Sequence, residues 1–351
     1  MEPKTLDRVF RRIQIVGKAS YSISLPKQWV LSRGLKPGDF IEISEALDGS
    51  LRLSPPEARF RQHSCRINAD LCKDEKRLQK LVVAGYRVGY DVIYISSSEK
   101  SIPEISKDLE DVVNALPGLE ISHEKDSKLV IRNVLDYSRF SIDDLVKRCY
   151  LQASEIFNNI LHFLETGRYD LIPYIESLGD RLHELSQLHT RLMITYLKRR
   201  EIGRSLRFRN PTHVYSSIVI VVVIRWLVEY LIHLTRLISR FRKKIWSDPR
   251  IYDVVRSVLL ELSSLLDKSF NSYLSLEFDQ ANKVLSVSGD LLAGSFREVF
   301  VKAASKDRLF AEFLAQFEII CLSIRSLMRE IAQLSLDLFM ESKSPVCKVE
   351  E

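Results

Sequence analysis

Residues 11–55 read RRIQIVGKASYSISLPKQWVLSRGLKPGDFIEISEALDGSLRLSP, and this stretch decides the fold of the amino-terminal part of the chain. Tyr21, Ile23 and Leu25 alternate with serines, which is the period of a half-buried strand. Further on, Asp48-Gly49 is a hairpin turn signal. A few short strands and one short helix bury too little apolar surface to fold alone, because segments of about 50 residues are marginal. The pattern therefore predicts that this unit pairs with a copy of itself.

The order of its pieces is specific: a basic strand, Gly17-Lys18, a strand ending in Leu25-Pro26, then GLKPGD at 34–39 and a closing hairpin. This order resembles the swapped-hairpin domain of the AbrB/SpoVT/MazE family. The resemblance implies a domain over residues 1–56 that forms an intertwined β-barrel homodimer and binds double-stranded DNA. The family presents cations of its first strand and the following loop to the duplex. The corresponding cations here are Arg8, Arg11, Arg12, Lys18 and Lys27.

The charge distribution favours the same end of the chain. The net charge of +6 is modest, so its position matters more than its total. Eight cations lie within residues 1–40, and only Glu2, Asp7 and Asp39 oppose them. A solvated basic surface would also give this excess. With the resemblance, phosphate contact is the favoured interpretation, since Arg and Lys contacts to phosphate dominate affinity for DNA.

Cysteine use and hydropathy indicate a cytoplasmic protein that does not span a membrane. The five cysteines are scattered without a CxxC pair, which fits a reducing compartment and shows no zinc signature. The most apolar run, 218–224, is followed closely by Arg225 and Glu229. We interpret it as a buried core helix that is too short and too charged to cross a bilayer.

Residues 60–138 predict a small α+β domain with the order βαβαββ and its helices on one face of the sheet. Neither a phosphate loop nor a dinucleotide fingerprint is present in this segment. Its size suits a ligand-binding or a dimerisation module, and the pattern does not distinguish them.

Residues 141–341 predict long helices only. Asn210-Pro211 combines a helix N-cap with proline at the first helical position. Two apolar seams with 3-4 spacing, in 171–196 and in 310–338, indicate long helices packed at shallow angles. The helices form two groups of three, which predicts a pair of three-helix bundles at 141–246 and 250–341.

This arrangement is similar to the phosphate-uptake regulator (PhoU) fold. Residues 211–233, PTHVYSSIVIVVVIRWLVEYLIH, resemble the family's proline-led helix with its Arg-x-x-x-Glu-x-x-x-Asp stripe, with Arg225 and Glu229 in the first two positions and His233 in place of Asp. A swapped-hairpin domain, a middle α+β segment and such bundles together resemble archaeal phosphate-uptake regulators. The resemblance implies a site for iron or zinc in the first helical group, with the ligands Glu176, Asp180, Glu229 and His233. The competing interpretation is that Glu229 forms an ion pair with Arg225 one turn before it.

Two further features have ordinary interpretations. His189 lies in an apolar seam, where we expect a hydrogen-bonded core histidine. Cations cluster at 198–209 and 240–244, where they can stabilise helix carboxyl ends or face DNA or an acidic partner protein.

No catalytic motif is intact. His183-Glu184 would open a zinc-protease motif, but Gln187 breaks it. We therefore expect no enzyme. The leading hypothesis is a DNA-binding transcriptional regulator of phosphate uptake or homeostasis, with a helical region that senses a signal or binds a partner. The alternative is an adaptor that does not bind DNA and regulates a phosphate transporter or its signalling kinase, with the amino-terminal domain serving only dimerisation. A third, weaker hypothesis is a metalloenzyme in the helical bundle.

Overall fold

The computed structural model describes residues 9–17, 20–45, 49–55, 62–124, 128–199, 202–287, 298, 301–302, 305 and 307–342. The chain divides into two compact units, Met1–Arg61 and Gln62–Glu351. The fold is mixed α+β and mostly helical, with small sheets and a helical carboxy-terminal region. This confirms the predicted fold class in its coarse form.

The amino-terminal unit contains two separate hairpins and one short helix. Its elements are β1 (Gln14–Val16), β2 (Ser20–Ser22), α1 (Lys27–Ser32), β3 (Glu42–Glu45) and β4 (Leu51–Ser54). The first hairpin pairs β1 with β2 antiparallel, with Ile15 opposite Tyr21. The second pairs β3 with β4 antiparallel, with Ile43 opposite Leu53. Gly17, at the end of β1, has a φ of +69°, a left-handed conformation that favours glycine.

The second unit begins with an α+β portion in the predicted element order. Its elements are β5 (Ser64–Asn68), α2 (Glu75–Arg87), β6 (Val92–Ser96), α3 (Ile102–Asn114), β7 (Leu119–Glu124) and β8 (Lys128–Asn133). The four strands form one sheet in the order β5-β6-β8-β7. Strands β5 and β6 are parallel, and the remaining pairs are antiparallel.

Local signals in the sequence start both helices of this portion. Asp74 caps α2 by accepting a hydrogen bond from the backbone N–H of Arg77 at 2.8 Å. Ser101 and Glu104 form a capping box at the start of α3. The apolar sides of both helices join the strand side chains in one core. That core includes Leu78, Val82, Ile93, Ile95, Ile105, Leu109, Leu129 and Ile131.

From residue 142 onward, the described part of the second unit is mainly helical. Its helices are α4 (Ile142–Thr166), α5 (Leu171–Lys198), α6 (Gly203–Leu206), α7 (Pro211–Ser247), α8 (Pro249–Ser275), α9 (Phe278–Ser286) and α10 (Arg308–Met340). Asn210 accepts a hydrogen bond from the backbone N–H of His213 at 2.7 Å, so the predicted cap at Asn210-Pro211 is confirmed. Asp248 and Asp307 cap α8 and α10 in the same way.

Helix α7 is the central helix of this region, since it packs against α4, α5, α8 and α10. Buried side chains from these helices form one continuous core. Ile220 and Ile224, within the apolar run 218–224, are fully buried, as predicted. The prediction that this apolar segment is too short and too charged to cross a bilayer was wrong for the helix as a whole. By length and composition α7 could cross a membrane, and it is the one helix in the described ranges that could. Half of its most apolar window is nevertheless buried inside the protein.

A fully buried arginine joins the α+β portion to the helices. Arg191 of α5 donates through Nη1 to the carbonyl oxygens of Tyr86 (2.7 Å) and Tyr90 (2.9 Å), just where α2 ends. Its Nη2 donates to the hydroxyl of Tyr137 at 3.1 Å and lies 3.6 Å from a carboxylate oxygen of Asp91. A cation close to the carboxyl end of a helix also interacts favourably with the helix dipole.

The last turn of α5 extends this junction. Arg199 forms an ion pair with Asp91 at 2.5 Å, and Lys198 donates to the carbonyl oxygen of Val88. Gly89 has a φ of +87°, and a Cβ there would lie 2.7 Å from the Thr195 hydroxyl. The junction therefore requires both the left-handed conformation of glycine and its lack of a side chain.

His189 lies two residues before Arg191 on α5 and is buried, as predicted. The hydrogen bond expected for it is not present at Nε2, which has no partner among the described residues. Burial lowers the pKa of His189 to about 3, because the charged imidazolium would lose its hydration. The folded protein therefore holds this histidine neutral.

We predict that Arg191→Ala lowers the free energy of unfolding by about 3–5 kcal/mol, the usual effect of removing one partner of a buried charged network. The substitution leaves buried carbonyl oxygens without their donor. Urea unfolding followed by circular dichroism measures the change. Arg148→Ala, at an exposed position on α4, is the control and should stay within about 0.5 kcal/mol of the wild type. Equal effects of the two substitutions would contradict the role of Arg191.

His189 should make the protein sensitive to acid. Its folded-state pKa of about 3 lies below the ordinary value of 6.5. Between these two pH values the imidazole of His189 is protonated in the unfolded chain and neutral in the folded chain. The contribution of neutral His189 to the free energy of unfolding is therefore complete above pH 6.5 and is lost as the pH falls toward 3. His189→Leu should therefore reduce the slope of unfolding free energy against pH in this window by up to about 1.4 kcal/mol per pH unit. Identical slopes of unfolding free energy against pH for wild type and His189→Leu would refute the prediction.

Candidate nucleic-acid interface

The first hairpin presents apolar side chains to solvent. Because Ile15 lies directly opposite Tyr21, both side chains are on the same face of the hairpin. Ile15 is 71% exposed and Tyr21 76% exposed. Other large apolar side chains of this unit are also exposed; they include Phe10, Ile13, Ile23, Leu31, Phe40, Ile43 and Leu51. None of its described side chains is buried. The described residues of a single copy therefore form no buried hydrophobic core.

The cations of this unit are exposed as well. Arg11 and Arg12 precede β1, and Lys27 begins α1. No residue in the part of the chain that the structure describes forms an ion pair with these three side chains, so their charges are available to a ligand. The two other predicted DNA contacts, Arg8 and Lys18, lie outside the described residues.

A short helix and two glycine turns follow the first hairpin. Pro26 precedes the first turn of α1. The proline ring fixes the backbone angle φ at a value that suits the start of a helix. Gly34 and Gly38 both have left-handed backbone angles, and Asp39 accepts a hydrogen bond from the N–H of Lys36 at 2.7 Å. The loop between α1 and β3 therefore has a defined backbone conformation and leads into the second hairpin.

The basic clusters of the helical region are mainly engaged inside the protein. Lys198 and Arg199 bind the end of α2, as described above. Lys244 forms an ion pair with Asp307, and the Arg242 guanidinium lies 4.5 Å from the ring centroid of Tyr169. Arg200 and the side chain of Arg204 lie outside the described residues. These engaged cations are therefore poorer candidates for DNA contact than Arg11 and Arg12.

The four predicted metal ligands do not form a ligand set. Glu176 accepts two hydrogen bonds from Arg236, at 2.9 and 2.7 Å, so its carboxylate already has a cationic partner. Asp180, Glu229 and His233 are exposed. Over the described ranges, no three His, Cys, Asp or Glu side chains converge in a way that could hold a metal ion. The arrangement therefore does not fit iron or zinc at these residues.

The alternative predicted for Glu229 is also not found. Among the ion pairs between described residues, none joins Glu229 to Arg225. The Arg225 guanidinium instead lies 5.3 Å from the ring centroid of Trp226. The charged pair on this side of α7 connects two different helices, Arg236 of α7 and Glu176 of α5.

A second group of titratable side chains lies where α4 and α7 begin. The buried His213 accepts a hydrogen bond at Nδ1 from the N–H of Arg209, and its Nε2 lies 2.8 Å from the Asp143 carboxylate. Burial opposes ionisation of Asp143, but the contacts with His213 and Arg209 outweigh burial and lower the pKa of this carboxyl. Burial also raises the pKa of Tyr273. We interpret this group as a structural connection between helix ends, because helix amino termini favour a nearby carboxylate.

No protein-family model, curated protein or solved structure matches this chain. The functional conclusion therefore depends on its own residues and on where the structure places them.

Proposed function

We propose that the protein is a DNA-binding transcriptional regulator that acts as a homodimer. One observation carries this proposal: in the same small unit, apolar strand faces are exposed, and the exposed Arg11, Arg12 and Lys27 form no ion pair with any described residue. The apolar faces need a second copy, and the cations need an anionic ligand.

The dimer follows from the missing core. Apolar side chains such as Ile15 and Tyr21 contribute about 1.5–3 kcal/mol each when they move from water into a core. A second copy of the same unit supplies a matching apolar face, and two-fold symmetry makes such an interface self-complementary. The finer form that we propose is the intertwined swapped-hairpin barrel that residues 11–55 resemble.

DNA is the ligand that best suits the exposed cations. Arg11 and Arg12 are adjacent, and in a dimer each pair would be present twice. Phosphate contacts by such cations give affinity that is independent of base sequence and falls with salt. Positions 30 and 31 are Val30 and Leu31, where better DNA binders of the resembled family carry arginines, so we propose backbone contact as the main interaction.

We further propose that this regulator controls phosphate uptake or homeostasis. This assignment is supported only by the resemblance of residues 141–339 to phosphate-uptake regulators, with three-helix repeats at 141–246 and 250–341. In this proposal the helical region senses a signal or binds a partner protein, and the protein acts in the cytoplasm. Catalysis is not part of the proposal.

The adaptor hypothesis remains the second candidate because a groove between α7 and α10 has an apolar lining that suits a protein partner. In that case the amino-terminal unit would dimerise the chain without binding DNA. Dimerisation combined with no DNA binding would favour the adaptor.

We predict that Ile15→Asp converts a dimer into a monomer, because a carboxylate at the centre of the apolar face would have to be buried without a partner. Sedimentation equilibrium of the full chain measures the mass, which is 40.6 kDa for one copy. Leu71→Asp is the matched control, since Leu71 is also highly exposed but belongs to the second unit. A monomeric wild type, or a dimer unaffected by Ile15→Asp, would rule out this interface.

For DNA, we predict that Arg11→Ala/Arg12→Ala weakens binding to a mixed-sequence duplex and makes it less dependent on salt. Each phosphate contact contributes about 0.9 to the slope of log affinity against log salt, so the slope should fall by about 2 for each chain in contact. Gel retardation at several salt concentrations measures the slope.

The control is Lys147→Ala/Arg148→Ala, which removes the same charge from an exposed part of α4. It should leave the slope unchanged. The regulator hypothesis fails if the wild type does not retard DNA at low salt, or if the two double variants behave alike.

A further inference from the structure

A groove between α7 and α10 has the features of a binding site for a helix. The two helices run antiparallel: Phe241 near the end of α7 contacts Phe313 near the start of α10, with ring centroids 5.1 Å apart, and Thr212 at the start of α7 donates a hydrogen bond to Glu341 just after α10. The groove encloses about 370 Å³. No feature of the sequence marked this position, since its two walls are separated by about 80 residues of chain.

The groove has an apolar floor and one exposed apolar wall. Leu237 is buried and Ile320 half-buried, and both line the groove. Ile319, also in the lining, is 64% exposed and adds apolar surface to the side of the groove. Trp226 continues this apolar surface along α7 and is 51% exposed.

The opposite wall is cationic. His233, Arg236 and Arg240 line it, and none of the residues that line the groove is acidic. Arg236 is already paired with Glu176. Arg240 stacks on the ring of Phe241 at 5.2 Å and forms no ion pair with any described residue. The groove therefore offers one cation that a ligand carboxylate can neutralise.

We propose that this groove binds an acidic amphipathic helix of a partner protein. A helix laid between two antiparallel helices completes a three-helix packing, with its apolar side on Leu237, Ile319 and Ile320 and its acidic flank toward Arg240. An anionic membrane fits less well, because the surface is a concave groove between two helices. The inference deepens the partner-binding role proposed above for the helical region and does not depend on DNA binding.

The test uses the full chain and a labelled helical peptide of about 18 residues, about five turns. The peptide carries leucines along one face and glutamates on the flank. A shuffled peptide of the same composition has no apolar face, and a third peptide replaces glutamate by lysine. Fluorescence anisotropy measures binding. We expect the amphipathic acidic peptide to bind more tightly than both others.

Substitutions locate the binding. Ile319→Asp should weaken it by about tenfold or more, the effect of losing one buried anchor. Leu322→Asp is the matched control, since Leu322 is exposed on the same helix but does not line the groove. Arg240→Glu should weaken binding of the glutamate peptide and not of the lysine peptide.

Several results would overturn the proposal. They are no binding of the acidic peptide, equal binding of the shuffled peptide, and equal effects of Ile319→Asp and Leu322→Asp. Binding only to vesicles of phosphatidylcholine with phosphatidylglycerol would assign the groove to lipid. A change of sedimentation mass on Ile319→Asp would assign it to a second copy of the chain. Gel retardation with the Arg11 and Arg12 variants is independent of these results, so failure here leaves the DNA-binding hypothesis to its own test.

Discussion

Helix α7 imposes the main constraint on the second unit. It is 37 residues long, and most of its circumference is apolar, so it must be covered from several directions at once. Helices α4, α5, α8 and α10 supply this cover. Because α7 is shared, the helices before and after residue 248 build one core and not two. Arg191, in the second half of α5, holds the α+β portion through hydrogen bonds to the end of α2. The position of that portion therefore also follows from the packing of α5 against α7.

The two units use their charges differently, and this difference supports the functional proposal. In the helical region, Arg191, Lys198, Arg199 and Arg236 are held by carbonyl oxygens or carboxylates of the same chain. In the amino-terminal unit, Arg11 and Arg12 have no such partners among the described residues. Net charge alone does not reveal this division. Arg11 and Arg12 lie in the unit whose described residues also form no buried core, which is why we propose DNA binding and dimerisation for the same unit.

Local features were predictable from the sequence, whereas contacts between distant elements were not. The start of α7 was predicted because Asn210 and Pro211 are adjacent signals whose effect is local. The ion pair expected between Arg225 and Glu229 was inferred from their spacing on one helix. That spacing carries no information about charged or aromatic side chains on neighbouring helices, which offer other partners. In the structure the pair forms across helices, between Arg236 and Glu176. For the same reason the predicted metal ligands do not converge. Arg191 had no periodic or motif signal at all, since its partners are about 100 residues away in sequence. At the candidate DNA interface, the identity of the cations came from sequence, and only the structure placed Arg11, Arg12 and Lys27 at the surface.

The arginine at the junction also limits how this protein can have changed by recombination. Arg191 is held by main-chain oxygens of Tyr86 and Tyr90, and Gly89 gives the chain its close approach to Thr195. A foreign module inserted in place of residues 62–138 would have to provide carbonyl oxygens at the same positions. Otherwise the guanidinium of Arg191 would be buried without hydrogen-bond acceptors. The middle segment and the fifth helix are therefore expected to be inherited together, as a single exchangeable block.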